Sequence, residues 1–508
     1  MYADIIIKNG RCVTMCGDGG ADWVAAAGKM ICAAGRGDDW QKLVRPGTQV
    51  IDARGGTVLP GFIDNHFHVM QTAVNMMSVD LGGARSHREL GEMLAAAEKR
   101  EGAVLGCQVE ESQFEEKRFP DRYVLDKYCS DSPVVLFSKE YHVSMLNTHA
   151  LLYYKVPFSL EGVELDGSGL PTGIFRRNAN YVLRSNVLRS LPDEFRMEAI
   201  HLAMSRLLEN GITTVAAIEG GWLFDDRDAE FIYAHSGEFP VDMPLFYQTM
   251  DLAKVWKLGL RRVGGNIMVD GTLSSHSAAL SAPYADRPDY RGQIFLPQDG
   301  LDEFVQRCYR QDMQLALYSI GDRAIESVLL AHERAIRQGG STALRHRIEH
   351  AIMATPEQIA RAADMKLIFS VQPAYAYLWG GKGGMYEHRV GERYLHSNNF
   401  AAMFAAGAVV CGGSDSDVTE PRPMLGIHAA VNRAVPRCAV SVEQAIEMYT
   451  VNGAYALFED KRKGKLAPGY LADIVVLDRD IRAVPAEQLE QTDVTVTIKS
   501  GSVLHSRQ

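Results

Sequence analysis

Short apolar segments alternate with amphipathic segments through the middle of the chain. Eight segments have the apolar character of buried strands, at residues 58–68, 211–219, 241–248, 265–270, 313–319, 344–350, 366–373 and 406–415. Helical periodicity separates most of them, at residues 195–209, 301–310, 322–337 and 356–364. Eight strands with helical crossovers predict an α/β fold of the (β/α)₈ TIM-barrel type. A doubly wound open sheet is the alternative, but no Gly-x-Gly-x-x-Gly segment follows an early strand.

The two ends of the chain are rich in short strands instead. Residues 3–16 predict a β-hairpin with its turn at Asn9-Gly10, and residues 494–504 predict another that turns at Ser500-Gly501. We therefore predict that residues 1–57 and 466–508 combine into one composite β-sandwich, beside a barrel domain at residues 58–465.

Residues 70–195 do not follow the strand–helix repeat. They contain the apolar segments 103–109 and 133–138 and a turn-rich stretch at residues 164–175. We predict that they form an insertion after the first barrel strand.

Composition narrows the class of protein. The chain has 508 residues, of which 46% are hydrophobic and 23% charged, and its net charge is -10. These values are ordinary for a soluble globular protein, and an acidic chain without clustered Lys and Arg argues against nucleic acid as a partner. We expect no signal peptide and no membrane span. The eight cysteines form no C-x-x-C pair, which favours a reducing, cytoplasmic location.

Two histidines lie at the end of the first predicted barrel strand. Residues two apart share one face of a strand, so Asp64, His66 and His68 should point in the same direction. Two neighbouring imidazoles can bind one metal ion. The alternative is a pair of ordinary polar residues where a strand enters a loop.

Other polar residues lie where later strands end. They are Glu219, Asp270, Tyr318, His350 and Asp415, at the ends of strands two, four, five, six and eight. Because the active site of such a barrel forms at the carboxyl ends of its strands, these side chains should converge. Histidines and carboxylates on one rim suit a divalent transition metal, with Asp415 as a ligand or proton acceptor.

Several motifs now resemble a known family. Pro60-Gly-Phe-Ile-Asp-Asn-His66-Phe-His68, Arg347-Ile-Glu-His350, Gly413-Ser-Asp415 and Gly464-Lys-Leu-Ala-Pro-Gly469 resemble the amidohydrolase superfamily. Further segments look like its amidohydrolase family 3 branch, which is N-substituted formamide deformylase-like: His142 with Asn147-Thr-His-Ala-Leu151, Leu170-Pro-Thr-Gly-Ile174, Asp270-Gly-Thr-Leu273 and Ile320-Gly-Asp-Arg-Ala-Ile325. The resemblance implies a metal-dependent hydrolase whose strand-end ligands correspond to His66, His68, His350 and Asp415.

Three positions depart from the family pattern. The binuclear members carry a carboxylated lysine on strand four, where this chain has Asn266, and Tyr318 replaces the strand-five histidine. Arg177 stands where a glutamate is usual. An amide cannot become a carbamate, so we expect one metal ion, most simply zinc. His66, His68 and Asp415 would bind it, with Glu219 or His350 as a fourth contact.

The resemblance implies hydrolysis of a C–N bond in a small amide, cyclic amide or formamide-like compound. Asp415 would move the proton, and His350 or Tyr318 would stabilise the developing oxyanion. We expect the substrate to contact His142, Arg177, Glu219 and Asp270. Arg177 would favour an anionic substrate, unless it forms only a surface ion pair.

Two other classes stay open. An isomerase or lyase, with or without metal, could use Tyr318, His350 and Asp415 as acid–base groups. A binding protein without catalysis is the third hypothesis. The only partner that the sequence predicts is a small-molecule substrate, and a homodimer is left open.

Overall fold

The structure is a computed structural model that describes residues 2–17, 20–97, 103–139, 141–221 and 225–507. It consists of two units. The first, here called the barrel unit, comprises Met1–Phe67, Met204–Ile218 and His235–Gln508. The second, the insertion unit, comprises His68–Ala203 and Glu219–Ala234. The predicted boundaries at residues 57/58 and 465/466 stay a prediction.

The strands are numbered in chain order. They are β1 (Ile5–Lys8), β2 (Arg11–Cys12), β3 (Trp23–Ala27), β4 (Met30–Gly35), β5 (Gln49–Asp52), β6 (Thr57–Pro60), β7 (Phe62–Phe67), β8 (Val79–Asp80), β9 (Val104–Val109), β10 (Val134–Ser138), β11 (Val143–Leu146), β12 (Val163–Leu165), β13 (Pro171–Arg176), β14 (Ile212–Glu219), β15 (Leu245–Tyr247), β16 (Arg262–Met268), β17 (Gln314–Ser319), β18 (Arg347–His350), β19 (Ile368–Val371), β20 (Val410–Gly412), β21 (Ile474–Leu477), β22 (Val494–Lys499) and β23 (Ser502–Ser506).

The α-helices are numbered in the same way. They are α1 (Val69–Met77), α2 (His87–Ala96), α3 (Arg122–Asp126), α4 (Thr148–Tyr154), α5 (Arg177–Ser190), α6 (Asp193–Glu209), α7 (Asp226–His235), α8 (Leu252–Lys257), α9 (Gln298–Arg310), α10 (Asp322–Arg337), α11 (Pro356–Asp364), α12 (Pro373–Trp379), α13 (Met385–Val390), α14 (Phe400–Ala405), α15 (Pro423–Val431), α16 (Val442–Met448) and α17 (Val451–Ala456). Short 3₁₀ helices cover Gly37–Leu43, Glu111–Gln113, Thr342–Leu344, Gly391–His396, Pro436–Cys438 and Ala486–Gln491.

Eight strands form the sheet of the barrel. They follow one another in the order β7, β14, β15, β16, β17, β18, β19, β20, and every registered pair is parallel. A parallel bridge between Phe67 and Ser416 brings the last strand back to the first. The predicted (β/α)₈ barrel is therefore confirmed, and its four predicted helices correspond to α6, α9, α10 and α11.

Strands from both ends of the chain form a composite sandwich. One sheet has the order β4-β3-β1-β5 and the other the order β2-β6-β21-β22-β23. Their apolar side chains share one buried core, which includes Ile5, Ile7, Val24, Val58, Ile474, Val476 and Ile498. The predicted composite β-sandwich is confirmed because this core joins residues from both termini.

One of the two predicted hairpins is wrong. Strand β1 pairs with β3 and β5, whereas β2 pairs with β6 in the other sheet. Asn9 adopts a left-handed φ of 55°, and the Gly10 amide donates to Asp22 O, so the turn sends the chain from one sheet to the other. The C-terminal hairpin is present, since β22 and β23 pair antiparallel around Ser500 and Gly501, both of which have positive φ.

The first predicted barrel strand is divided at Gly61. Residues before it form β6 of the sandwich, and residues after it form β7 of the barrel. A Cβ atom on Gly61 would lie 2.3 Å from Thr213 Oγ1, so the close approach to this neighbouring residue requires glycine. The barrel strand that carries His66 therefore begins at Phe62.

The insertion unit has a sheet of its own. Six strands follow the order β12-β13-β11-β10-β9-β8, and helices α1 to α5 accompany them in sequence. Two buried apolar clusters stabilise the unit, one with Phe114 and Leu136 and the other with Phe137 and Phe175. Within the described parts of the chain, no helix combines the length and apolar character needed to cross a bilayer.

Candidate metal centre

The imidazole of His66 is fully buried and has a carboxylate near each of its ring nitrogens. Its Nδ1 lies 2.7 Å from Glu349 Oε2, and its Nε2 lies 3.4 Å from Asp415 Oδ1. An ionised carboxylate beside Nδ1 favours the tautomer that carries the proton there, which leaves a lone pair on Nε2. This is the tautomer in which an imidazole can bind a metal ion through Nε2.

Glu349 stays ionised although it is completely buried. Burial alone would raise the pKa of its carboxyl group, but Arg347 and His66 bring that pKa down to about 2. Arg347 Nε and Nη2 donate to the two carboxylate oxygens at 2.7 and 2.9 Å. Arg347 Nη2 also donates to Asn65 O at 2.5 Å and to Ser370 Oγ at 2.8 Å. The guanidinium therefore connects β18 to β7 and β19.

Asp415 lies just after the last barrel strand, with a left-handed φ of 52°. Its amide donates to His66 O at 2.9 Å, which fixes its backbone beside β7. Tyr375 OH donates to Asp415 Oδ2 at 2.6 Å. Burial and the nearby Asp415 raise the pKa of Tyr375 well above its ordinary value, so the phenol stays protonated. One carboxylate oxygen is thus oriented by a hydrogen bond while the other faces His66.

Asp64 stabilises the backbone around His66 and Asp415. Its Oδ1 accepts the amides of His66 at 3.2 Å and Ser414 at 3.0 Å. Burial raises the pKa of Asp64 to about 6. The residue therefore ties the backbone before His66 to the backbone before Asp415.

Three of the predicted residues come together as a group of ligands. His66, His68 and Asp415 are buried, and each offers one ligand atom, all within 4.8 Å of one another. Two imidazoles and one carboxylate are a common donor set for a catalytic zinc ion, which keeps an open coordination position. The residues present therefore fit the divalent metal ion that the sequence predicts.

His350 lies outside this group of ligand atoms, and its predicted role as a ligand stays a prediction. Its Nε2 is 3.9 Å from Asp415 Oδ2, and the carboxamide of Gln372 lies beside the ring. Burial lowers the pKa of His350 to about 4, so the ring is neutral at pH 7. The ring of Tyr318 packs edge-on against it, with centroids 4.4 Å apart. A neutral imidazole in this position can donate to or accept from a substrate.

Glu219 caps a helix in the insertion unit. Its Oε1 accepts the Met70 amide at 3.2 Å, at the first turn of α1, directly after His68. Burial, with a smaller contribution from Asp228, raises the pKa of Glu219 to about 8. Glu219 is not part of the ligand group, and the hydrogen bond to Met70 gives it a positioning role. Its predicted contacts with the metal and the substrate stay predictions.

Asp270 is fully buried and has its carboxylate occupied. Oδ2 accepts the amides of Ala279 and Gly321, both at 2.8 Å, and Oδ1 accepts the amide of Ile320 at 2.9 Å. These bonds join the loop after β16 to the end of β17. The geometry therefore gives Asp270 a structural role, and its predicted contact with substrate stays a prediction.

Arg177 forms a surface ion pair, which was the alternative to the predicted contact with an anionic substrate. Its side chain is 74% exposed, and Nη1 donates to Glu161 at 2.6 Å. Another arginine of the same helix, Arg184, is buried instead, and its Nη2 donates to Gln71 Oε1 at 2.9 Å. Burial, with Arg184 nearby, lowers the pKa of the His142 imidazole to about 4. The substrate contact predicted for His142 stays a prediction.

Sequence reasoning missed three groups of this centre: Glu349, Arg347 and Tyr375. Two opposite charges spaced two residues apart in an otherwise apolar strand are a signal for a buried ion pair, and the Arg347-Ile-Glu349 segment carries it. Tyr375 is one of several aromatic residues in α12, and nothing local separates it from a residue of the core.

A (β/α)₈ barrel with His66 and His68 around strand one and Asp415 after strand eight defines the class of metal-dependent barrel hydrolases. A family model described as the amidohydrolase family matches residues 49–505. The chain belongs to this family and is a hydrolase.

Similar proteins cover nearly the whole chain. The YtcJ amidohydrolase of Bacillus subtilis is 26% identical over 507 residues, which cover 92% of each chain. N-substituted formamide deformylase of Arthrobacter pascens is 27% identical over 529 residues, which cover 96% of this chain and 95% of that protein. The crystal structure of a metal-dependent hydrolase from Pyrococcus furiosus is 26% identical with a TM-score of 0.79, and covers 94% of this chain and 99% of its own.

Proposed function

We propose that this protein hydrolyses a C–N bond of a small amide, cyclic amide or N-substituted formamide with one divalent metal ion, most simply zinc. The observation that carries the proposal is the group of ligand atoms from His66, His68 and Asp415. The name of the Arthrobacter relative, an N-substituted formamide deformylase, supports the class of bond.

Two features support a single ion. The family's bridging lysine is replaced by Asn266, whose amide cannot form a carbamate, and Tyr318 stands where the family has a histidine. Among the described residues, the only cluster of three His, Cys, Asp or Glu side chains able to hold a metal is the one already named. A second ion would therefore lack the ligands that such sites need.

The chain's own residues supply the rest of the chemistry. A divalent ion, when bound, would lower the pKa of a water molecule to about 7 and polarise a carbonyl oxygen. Asp415 would accept a proton from the attacking water and return it to the leaving nitrogen. Tyr375 would keep the Asp415 carboxylate oriented during both transfers. His350 or Tyr318 would donate a hydrogen bond to the carbonyl oxygen as negative charge develops on it.

Metal analysis with activity measurements tests this proposal. We expect one zinc ion per chain, release of formate and amine from an N-alkylformamide, loss of activity with a chelator and its return with zinc. His66→Ala and Asp415→Asn should lose activity, and Arg177→Ala, an exposed control, should keep it. Full activity without metal would refute the metal requirement, and two ions per chain would refute the single-ion centre.

The neutral His350 beside Tyr318 favours one alternative, an isomerase or lyase that uses these groups with Asp415 as acid and base. Product analysis in water labelled with heavy oxygen separates the two reactions. Label in the product supports hydrolysis, whereas an unlabelled isomer or elimination product would support the alternative.

We further infer a small-molecule partner and a cytoplasmic location, with neither nucleic acid nor membrane as a partner. Light scattering would show whether the chain forms a homodimer.

A further inference from the structure

Gln248 is a buried glutamine whose carboxamide nitrogen, but not its oxygen, forms a hydrogen bond within the described residues. It follows β15 directly and is 3% exposed. Nε2 donates to Asn266 O at 3.1 Å, whereas Oε1 has no hydrogen-bond partner among the described residues. A flipped amide would place Oε1 against the Asn266 carbonyl oxygen, so the hydrogen bond fixes which end is free. The free atom is an acceptor.

The position of this acceptor distinguishes it from an ordinary packing defect. Gln248 stands at the carboxyl end of barrel strand three, the side on which such barrels form their active sites. Asn266, near the end of strand four, carries another buried oxygen, Oδ1, with no partner in the described chain. Buried polar atoms are nearly always hydrogen-bonded, so two such oxygens on neighbouring strands point to a ligand that donates.

The same end of the barrel carries other uncharged polar groups. Gln372 follows strand seven, and its buried carboxamide lies beside the imidazole of His350. Arg347, the buried cation of strand six, already binds Glu349. A site of neutral carboxamides suits a neutral substrate with N–H and C=O groups, and two free carbonyl oxygens would repel a carboxylate.

We propose that Gln248 Oε1 accepts a hydrogen bond from an N–H group of the substrate, with Asn266 Oδ1 on the neighbouring strand as a second acceptor. The inference rests on the proposed function and narrows its substrate class to neutral amides or formamides that retain an N–H. Gln248 would thereby distinguish a formamide from a formate ester of the same shape, in which an oxygen replaces the N–H.

The chain provides a matched control in Gln314. This glutamine is equally buried, and its Oε1 also has no partner in the part of the chain that the structure describes, but it begins β17, at the opposite end of the barrel. Its Nε2 donates to Arg345 O and Ala456 O. Gln248→Met and Gln314→Met make the same chemical change at the two ends, so a purely structural effect should appear in both variants.

The test compares N-butylformamide with butyl formate on the zinc-loaded wild-type protein and on both variants. Gln248→Met should lower kcat/KM for the formamide about tenfold, as expected for one lost hydrogen bond, and change the value for the ester less than about twofold. Gln314→Met should change both substrates by the same factor. The inference is overturned if Gln248→Met lowers both substrates equally, because the glutamine then acts only through structure.

Failure of the proposed function gives a different result. If the wild-type protein hydrolyses neither compound, calorimetric titration with N-butylformamide decides the inference separately. Binding that weakens about tenfold in Gln248→Met and not in Gln314→Met would keep it. Equal binding by all three proteins, or binding by none, would overturn it.

Discussion

Glu349→Gln removes one charge from the metal centre with almost no change in the shape of the side chain. The wild-type carboxylate lies 2.7 Å from His66 Nδ1 and accepts two hydrogen bonds from Arg347. Although burial raises it, the pKa of Glu349 is held at about 2 by Arg347 and His66. The wild-type group is therefore ionised at every pH near neutrality, and the substitution removes a full charge there.

Two effects should follow. A neutral amide makes the His66 imidazole less basic and orients it less strictly, and loss of such a partner weakens metal binding about 10–100-fold. That range corresponds to about 1.4–2.7 kcal/mol. Arg347 also loses its counter-charge, and breaking one side of a buried ion pair costs about 3–5 kcal/mol of stability. Both zinc affinity and the thermal midpoint should fall.

Zinc affinity is measured by competition with a coloured chelator, and stability by thermal unfolding of the metal-free protein. Glu333→Gln is the control, because Glu333 also accepts from an arginine, Arg361, but at a partly exposed site. It should keep zinc affinity within about twofold. It should lower the free energy of unfolding by at most about 1 kcal/mol, because exposed ion pairs contribute about 0–1 kcal/mol to stability. Wild-type zinc affinity in Glu349→Gln, together with loss of binding in His66→Ala, would refute the orienting role.

Three further predictions concern stability and the pH profile. Burial lowers the pKa of His332 to about 3 and that of His346 well below its ordinary value. As the pH falls below 6.5, these two histidines therefore take up protons in the unfolded chain before they do so in the folded protein. Unfolding free energy should then fall by about 1.4 kcal/mol per pH unit for each histidine as the pH drops, and the double glutamine variant should flatten this slope in urea titrations. Arg177→Ala should change stability by less than about 0.5 kcal/mol, because its ion pair is exposed. Tyr375→Phe removes a hydrogen bond that favours the ionised form of Asp415, so the acid limb of the activity profile should move to higher pH, and an unmoved limb would contradict this.

The barrel was predictable because the apolar character of each strand is visible in the strand's own sequence. The segments at 211–219, 313–319 and 344–350 have strong apolar character, and the strands β14, β17 and β18 lie within them. Strand pairing in the sandwich was harder, because Asn9-Gly10 has the sequence of a hairpin turn while β1 finds its partners in β3 and β5. The turn is a local property, whereas the choice of partner depends on contacts with residues much further along the chain.

The ligands were predictable for the same reason, since His66, His68 and Asp415 stand at strand ends. Arg177 and Arg184 show the limit of this approach. Both lie in α5, and only the folded structure reveals that Arg177 is exposed and paired with Glu161 while Arg184 is buried. Residue type indicates which chemistry is available, but burial decides which group supplies it.

The Arg347–Glu349 pair shows why the supporting groups escape a local pattern. A buried ion pair is seldom more stabilising than apolar residues of similar size, so stability alone does not explain one inside the barrel. Each member of the pair has a further contact. Glu349 Oε2 lies within hydrogen-bond distance of His66 Nδ1, and Arg347 donates to the carbonyl oxygen of Asn65, the residue before His66. An ionised partner for His66 requires a charge that offsets burial, and Arg347 supplies it. His66 and Glu349 are 283 residues apart in the sequence, and only the closed barrel brings their side chains together.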